Sequence, residues 1–145
     1  MSYSVAQALS WSPFTERLTQ KFPDLLHEES YLEKWSEGEL YKRVYSDVTQ
    51  AEDEKELVKR LRIQRNWQMG RIALRDLMGL AELDEVMLAA SDLADALVNA
   101  SLDWHYQRFC ERYGTPIGVE TETPQSMIVI GMGKLGGQEL NFSSD

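Results

Sequence analysis

A chain of 145 residues with 43% hydrophobic and 10% aromatic content has enough apolar material for a core, which sets it apart from disordered sequences. A formal net charge of −9 argues against non-specific binding to nucleic acid or to an anionic membrane. Cys110 is the lone cysteine, which excludes an internal disulfide, and neither a membrane-length apolar run nor a basic-then-apolar leader is present over residues 1–10, so the cytoplasm is the expected location.

In chain order, Ser12 before Pro13 places a capping hydroxyl ahead of a proline at the first helical position, and predicts a helix over 13–22 that Pro23 ends. Leu25, Leu26, Tyr31, Leu32, Trp35, Leu40, Val44 and Tyr45 over 24–46 predict short helices broken around Gly38. The acidic stretch 49–56 opens a long helix in which Leu57, Leu61, Gln64, Ile72 and Leu77 fall near helical spacing, with acids favourably placed at its N-terminal end. A second long helix is expected over 83–113, from Val86, Ala90, Leu93, Leu97, Leu102, Trp104 and Phe109; Gly114 stops it and Pro116 prevents resumption. Joined over 79–84, the two long helices can pack antiparallel under a cover of the shorter ones. Residues 117–126 read as an acidic, extended linker, and no internal repeat is present. The fold class is mainly α.

Within the helical part, Arg60, Arg62, Arg65, Arg71 and Arg75 concentrate on one helix of an otherwise acidic chain. Pairing with Glu54, Glu56 and Asp76 on the same helix is the simplest reading; holding a catalytic domain or an anionic partner is the other. His27 and His105 show no metal-ligand spacing and are read as structural. Trp67 and Trp104 are read as core anchors rather than base-stacking platforms.

The C-terminal stretch is different in kind. Residues 127–130 are apolar and mostly β-branched without alternation, the pattern of a strand covered on both faces. Gly131, Gly133, Gly136 and Gly137 follow, permitting a sharp turn and close approach to a ligand, with Lys134 available to a phosphate or simply projecting from the turn. The first three satisfy G-x-G-x-x-G, but a dinucleotide fold also needs a helix opening at the third glycine and an acid roughly 20 positions later. The residues that follow, Asn141, Phe142, Ser143 and Ser144, make a poor helix interior. Ser143 and Ser144 can donate to a phosphate or merely cap the chain, Glu139 reads as an exposed acid, and Asp145 is either a metal ligand or a solvated carboxylate.

The string Gly131-Met-Gly-Lys-Leu-Gly-Gly-Gln-Glu-Leu-Asn-Phe-Ser-Ser-Asp145 resembles the nucleotidyltransferase signature of the bifunctional glutamine synthetase adenylyltransferase/adenylyl-removing enzyme family, part of the polymerase-β-like nucleotidyltransferases. Leu61-Arg-Ile-Gln-Arg65, Arg71-Ile-Ala-Leu-Arg75 and Arg112-Tyr-Gly-Thr-Pro116 resemble segments upstream of its catalytic domain. The resemblance implies a helical region with linker over 1–125 and, from 126 to 145, the first strand and glycine turn of a truncated α+β nucleotidyltransferase domain.

It further implies nucleotide or phosphate binding by Gly133, Lys134, Gly136, Gly137, Ser143 and Ser144, and Mg2+ binding by Asp145, the catalytic residue, as the first of an Asp-x-Asp pair whose second member would lie two residues beyond it. The implied partners are adenylylated glutamine synthetase, the PII signal protein, ATP or ADP and phosphate, and the signature looks like the first of the family's two copies, in the adenylyl-removing half. A single carboxylate does not hold magnesium against its hydration shell, so the chain as given is expected to be an inactive N-terminal fragment. The alternatives are a non-catalytic helical interaction module and, with less support, a dinucleotide-binding enzyme.

Overall fold

The computed structural model describes residues 3–27 and 30–142. Its helices are α1 (Val5–Trp11), α2 (Pro13–Lys21), α3 (Asp24–His27), α4 (Glu39–Thr49), α5 (Glu54–Leu77), α6 (Leu83–Tyr113) and the single turn α7 (Gly133–Gly136). The fold is mainly α, as the periodicity predicts. Local chemistry sets the boundaries. Ser12 caps α2 through Thr15 N–H, and Asp53 caps α5 by accepting from Glu56 N–H at 2.7 Å. Gly38 precedes α4 at φ +71, and Gly114 ends α6 at φ +89, both in the left-handed region that glycine enters without strain. Helix α1 has no counterpart in the periodicity reading. Its signal lies in Ser4 and Gln7, which form a reciprocal capping box.

Two apolar clusters hold the body together. In the first, α4 lies across α5 and α6, burying Leu40, Val44, Val48, Leu57, Ile72, Leu93 and Trp104. Trp104 Nε1–H donates to Ala51 O at 2.7 Å, and Arg108 lies 3.4 Å from the Trp104 ring, so the C-terminal end of α4 is tied to α6. In the second cluster, α1, α2 and α3 cover the C-terminal half of α5 through Ala8, Leu25, Leu74 and Met78. Gly70 makes that contact possible, since a Cβ there would lie 2.8 Å from Leu25 Cδ1.

The arginines of α5 divide by position. Arg60 pairs with Glu56 one turn earlier and with Asp47 on α4 at 2.7 Å. Arg71 and Arg75 are buried and reach across the fold instead. Arg71 donates to the carbonyls of Ser30 and Glu33 and stacks 3.6 Å from the Trp35 ring. Arg75 donates to Tyr31 O, Leu32 O, Glu33 O and Leu80 O and pairs with Glu85 at 2.7 Å. Glu54 and Asp76 are therefore not the partners of these arginines. A guanidinium buried beside loop carbonyls satisfies groups that no helix can, which outweighs an exposed intrahelical pair. Burial, with the neighbouring Arg75 charge, pushes Arg71 down to about 10.

Trp104 is buried as expected, while Trp67 is half-buried, stacked on Trp35 and donating to Asp24 at 2.6 Å. His105 packs between the Trp104 and Phe109 rings, whereas His27 is exposed.

The linker is more ordered than an extended segment. Ile117 and Pro124 form an isolated antiparallel bridge around a turn in which Gly118 N–H donates to Thr123 O, and Tyr106 Oη–H donates to Gln125 O, fastening the turn to α6. Beyond it, the buried strand predicted over 127–130 is not found: among the described residues no strand is assigned, and Ile128 and Ile130 are 78% and 81% exposed. The reason is backbone pairing. A strand's N–H and C=O groups need a neighbouring strand, and none is present here.

Candidate functional site

The glycine turn is built from the backbone outward. Met132 enters it extended, Gly133 turns at φ +58, and Gly136 passes so close to Gly131 that a Cβ on Gly136 would sit 2.5 Å from Gly131 O. No side chain fits there. The turn closes with Gly137 N–H donating to Gly133 O at 3.0 Å, Gln138 N–H to Leu135 O at 3.1 Å and Glu139 N–H to Lys134 O at 2.7 Å, with Gln138 left-handed at φ +57. This is a Schellman-type ending, which satisfies the carbonyls of a very short helix. Leu140 N–H then donates to the buried Ser91 Oγ at 3.3 Å, anchoring the segment to α6.

Of the candidate residues, Gly133, Lys134, Gly136 and Gly137 therefore lie together on one exposed turn. Gly136 and Gly137 commit their N–H groups inside it, whereas those of Gly133, Lys134 and Leu135 have no acceptor among the described residues. Lys134 is exposed and makes no ion pair among those residues. Ser143, Ser144 and Asp145 lie outside the described residues. The helix opens at Gly133 and ends at Gly136, so it does not begin at the third glycine as the dinucleotide motif requires.

Among the described residues no group of three or more His, Cys, Asp or Glu side chains could hold a metal ion. The carboxylates described thus do not fit a magnesium site, and that expectation rests on Asp145 alone. No helix among the described residues is long and apolar enough to cross a membrane. One residue near the turn escaped the sequence reading: Gln138 lines a cleft between the 34–40 segment and α6. Its signal was its place immediately after the glycines, where a chain leaving a short helix adopts the left-handed conformation.

A helical body ending in a glycine-built turn defines the class, and comparison with known proteins defines the family. A family model described as glutamate-ammonia ligase adenylyltransferase matches residues 2–145. Relatives named bifunctional glutamine synthetase adenylyltransferase/adenylyl-removing enzyme include one from Pseudomonas putida, 42% identical over 143 residues that make up 96% of this chain and 15% of the relative. One from Shewanella oneidensis is 40% identical over 146 residues, covering 100% of this chain and 14% of the relative. One from Shewanella frigidimarina is 52% identical over 101 residues, covering 69% of this chain and 10% of the relative. The chain belongs to the glutamate-ammonia ligase adenylyltransferase family. It spans 15% or less of the length of these curated relatives.

Proposed function

We propose that this chain is part of an enzyme that controls glutamine synthetase by reversible adenylylation of a tyrosine, and that its glycine turn belongs to the adenylyl-removing half. The observation that carries this reading is the family match over residues 2–145, which includes the glycine turn. A turn whose Gly136 admits no Cβ suits a backbone that must pass close to a phosphate.

In the proposed reaction a phosphate oxygen attacks the adenylyl phosphorus. The new P–O bond forms as the bond to the tyrosine oxygen breaks, the tyrosinate takes a proton, and ADP leaves. Gly133, Lys134, Gly136, Gly137, Ser143 and Ser144 would hold the nucleotide phosphates. Asp145 would be a magnesium ligand once further carboxylates join it, and the ion would supply charge neutralisation at the phosphoryl oxygens. In the assembled enzyme residues 127–131 would pair as the first strand of an α+β nucleotidyltransferase domain. PII, ATP and a cytoplasmic setting belong to the same proposal. By itself the 145-residue chain would be inactive.

The test is Asp145→Ala in the full-length enzyme. Deadenylylation should fall about 100-fold or more while adenylylation persists, because magnesium-assisted transfer depends on each ligand. Full retention of deadenylylation would sink the assignment.

A further inference from the structure

The 34–40 segment and the N-terminal half of α6 enclose a cleft of about 460 Å³, within the range of natural binding sites. Its floor is apolar, formed by Trp35, Leu40, Leu88 and Ala89, and Leu88 is 46% exposed. Its charged lining is mostly acidic, Glu37 from the loop and Glu82, Asp84, Glu85 and Asp92 at or on α6, against the cations Lys34 and Arg71.

Several of the charges at this cleft are already explained. Lys34 pairs with Glu85 at 3.0 Å, Glu85 also holds Arg75, and Arg71 is committed to loop carbonyls. Asp84 and Glu85 sit in the first turn of α6, where the helix dipole favours acids. Glu37 and Asp92 have no such account. Neither makes an ion pair among the described residues, and burial, then the neighbouring carboxylates of Asp95 and Glu37, pushes the Asp92 carboxyl up. Two acids thus line one cleft beside an apolar floor, and neither has a cation partner among the described residues. A positive side chain would relieve their repulsion, and an apolar neighbour on the same partner would cover Leu88.

We propose that this cleft docks a segment of a partner protein in which a lysine or arginine flanks an apolar side chain, the cation lying between Glu37 and Asp92 and the apolar group on the Trp35–Leu40–Leu88 floor. The apolar floor selects a protein segment over a simple polyamine, which has only charge to offer. Gln138 lines the same cleft, so an occupant also touches the segment that carries the glycine turn. The inference goes beyond the adenylyl-removing reading and does not depend on it.

Fluorescence anisotropy of the full-length protein with a fluorescein-labelled helical peptide of leucine and lysine tests the docking. The paired variant Glu37→Gln/Asp92→Asn should weaken binding about tenfold or more, and Glu111→Gln/Glu120→Gln, which removes the same charge from exposed positions outside the cleft, less than about twofold. Leu88→Ser, at an exposed helical position that folding tolerates, should also weaken the peptide several-fold. Equal losses from both charge pairs would show diffuse attraction to an acidic chain and overturn the proposal. Absence of peptide binding, or spermine binding as tight as the peptide's, would overturn it too.

Discussion

The α5–α6 pair and the segment over 127–132 both carry dense runs of large apolar residues, yet they meet water in opposite ways. Leu57, Ile72 and Leu93 are 1%, 2% and 2% exposed; Ile128, Ile130 and Met132 are 78%, 81% and 83% exposed. Hydrophobicity does not separate them. A helix satisfies its own backbone and needs a partner only for its apolar stripe, which α4 and the short N-terminal helices provide. A strand needs partners for its backbone as well as its faces, and a segment without them stays open. The same contrast holds for polar groups: Arg75 is buried and bonded to four carbonyls and a carboxylate, while Lys134 stands exposed on the glycine turn.

Amide hydrogen exchange gives the largest separation of the two regions. Interior amides of α5 and α6 should exchange about 10³-fold or more slowly than those of 127–132, because the former open only with the whole fold. Similar protection in both regions of a dilute monomer would mean that the strand segment has found backbone partners.

Substitution sharpens the comparison at the level of single residues. Arg75→Ala should cost about 3 kcal/mol in urea unfolding, since it leaves loop carbonyls unpaired inside the protein. Ile130→Ser should change the same measurement by less than about 0.5 kcal/mol, as expected at an exposed position. A large loss at Ile130 would show that 127–131 belongs to the cooperative core.

The smallest expected effect is a dependence of stability on pH carried by the N-terminal turn of α6. Burial alone would raise the Glu85 carboxyl, but hydrogen bonds from Lys34 and Arg75 outweigh it and hold the group below its ordinary value. A carboxyl depressed by folding contributes stability above its unfolded pKa and loses it as pH falls through the folded value. The stability gap between the native chain and Glu85→Gln should therefore close as pH drops below about 4. A gap that stays constant down to acid pH would mean Glu85 is not held by its charge.

The helical body was legible because its signals are local. Ser12-Pro13, Gly38, Gly114 and the apolar spacing of residues 57–77 and 86–109 each act within a turn or two of helix, and the long helix expected over 83–113 is found as Leu83–Tyr113. The glycine turn was legible for the same reason. The roles of Arg71 and Arg75 were not, because the Ser30, Tyr31, Leu32 and Glu33 carbonyls they bind lie more than 35 residues away in sequence, in a loop whose carbonyls carry no side-chain signature. That Glu37 and Asp92 line one cleft was equally hidden.

By itself, then, the sequence determined where helices begin and end, that four glycines crowd one turn, and which family signature that turn carries. Tertiary structure alone decided which arginines are buried, that the linker folds into a bridged turn against α6, and that residues 127–131 form no strand among the described residues. The division follows the range of the forces: capping, φ preference and helical spacing act along the chain, whereas burial of charge and pairing of strands depend on what the rest of the fold brings alongside.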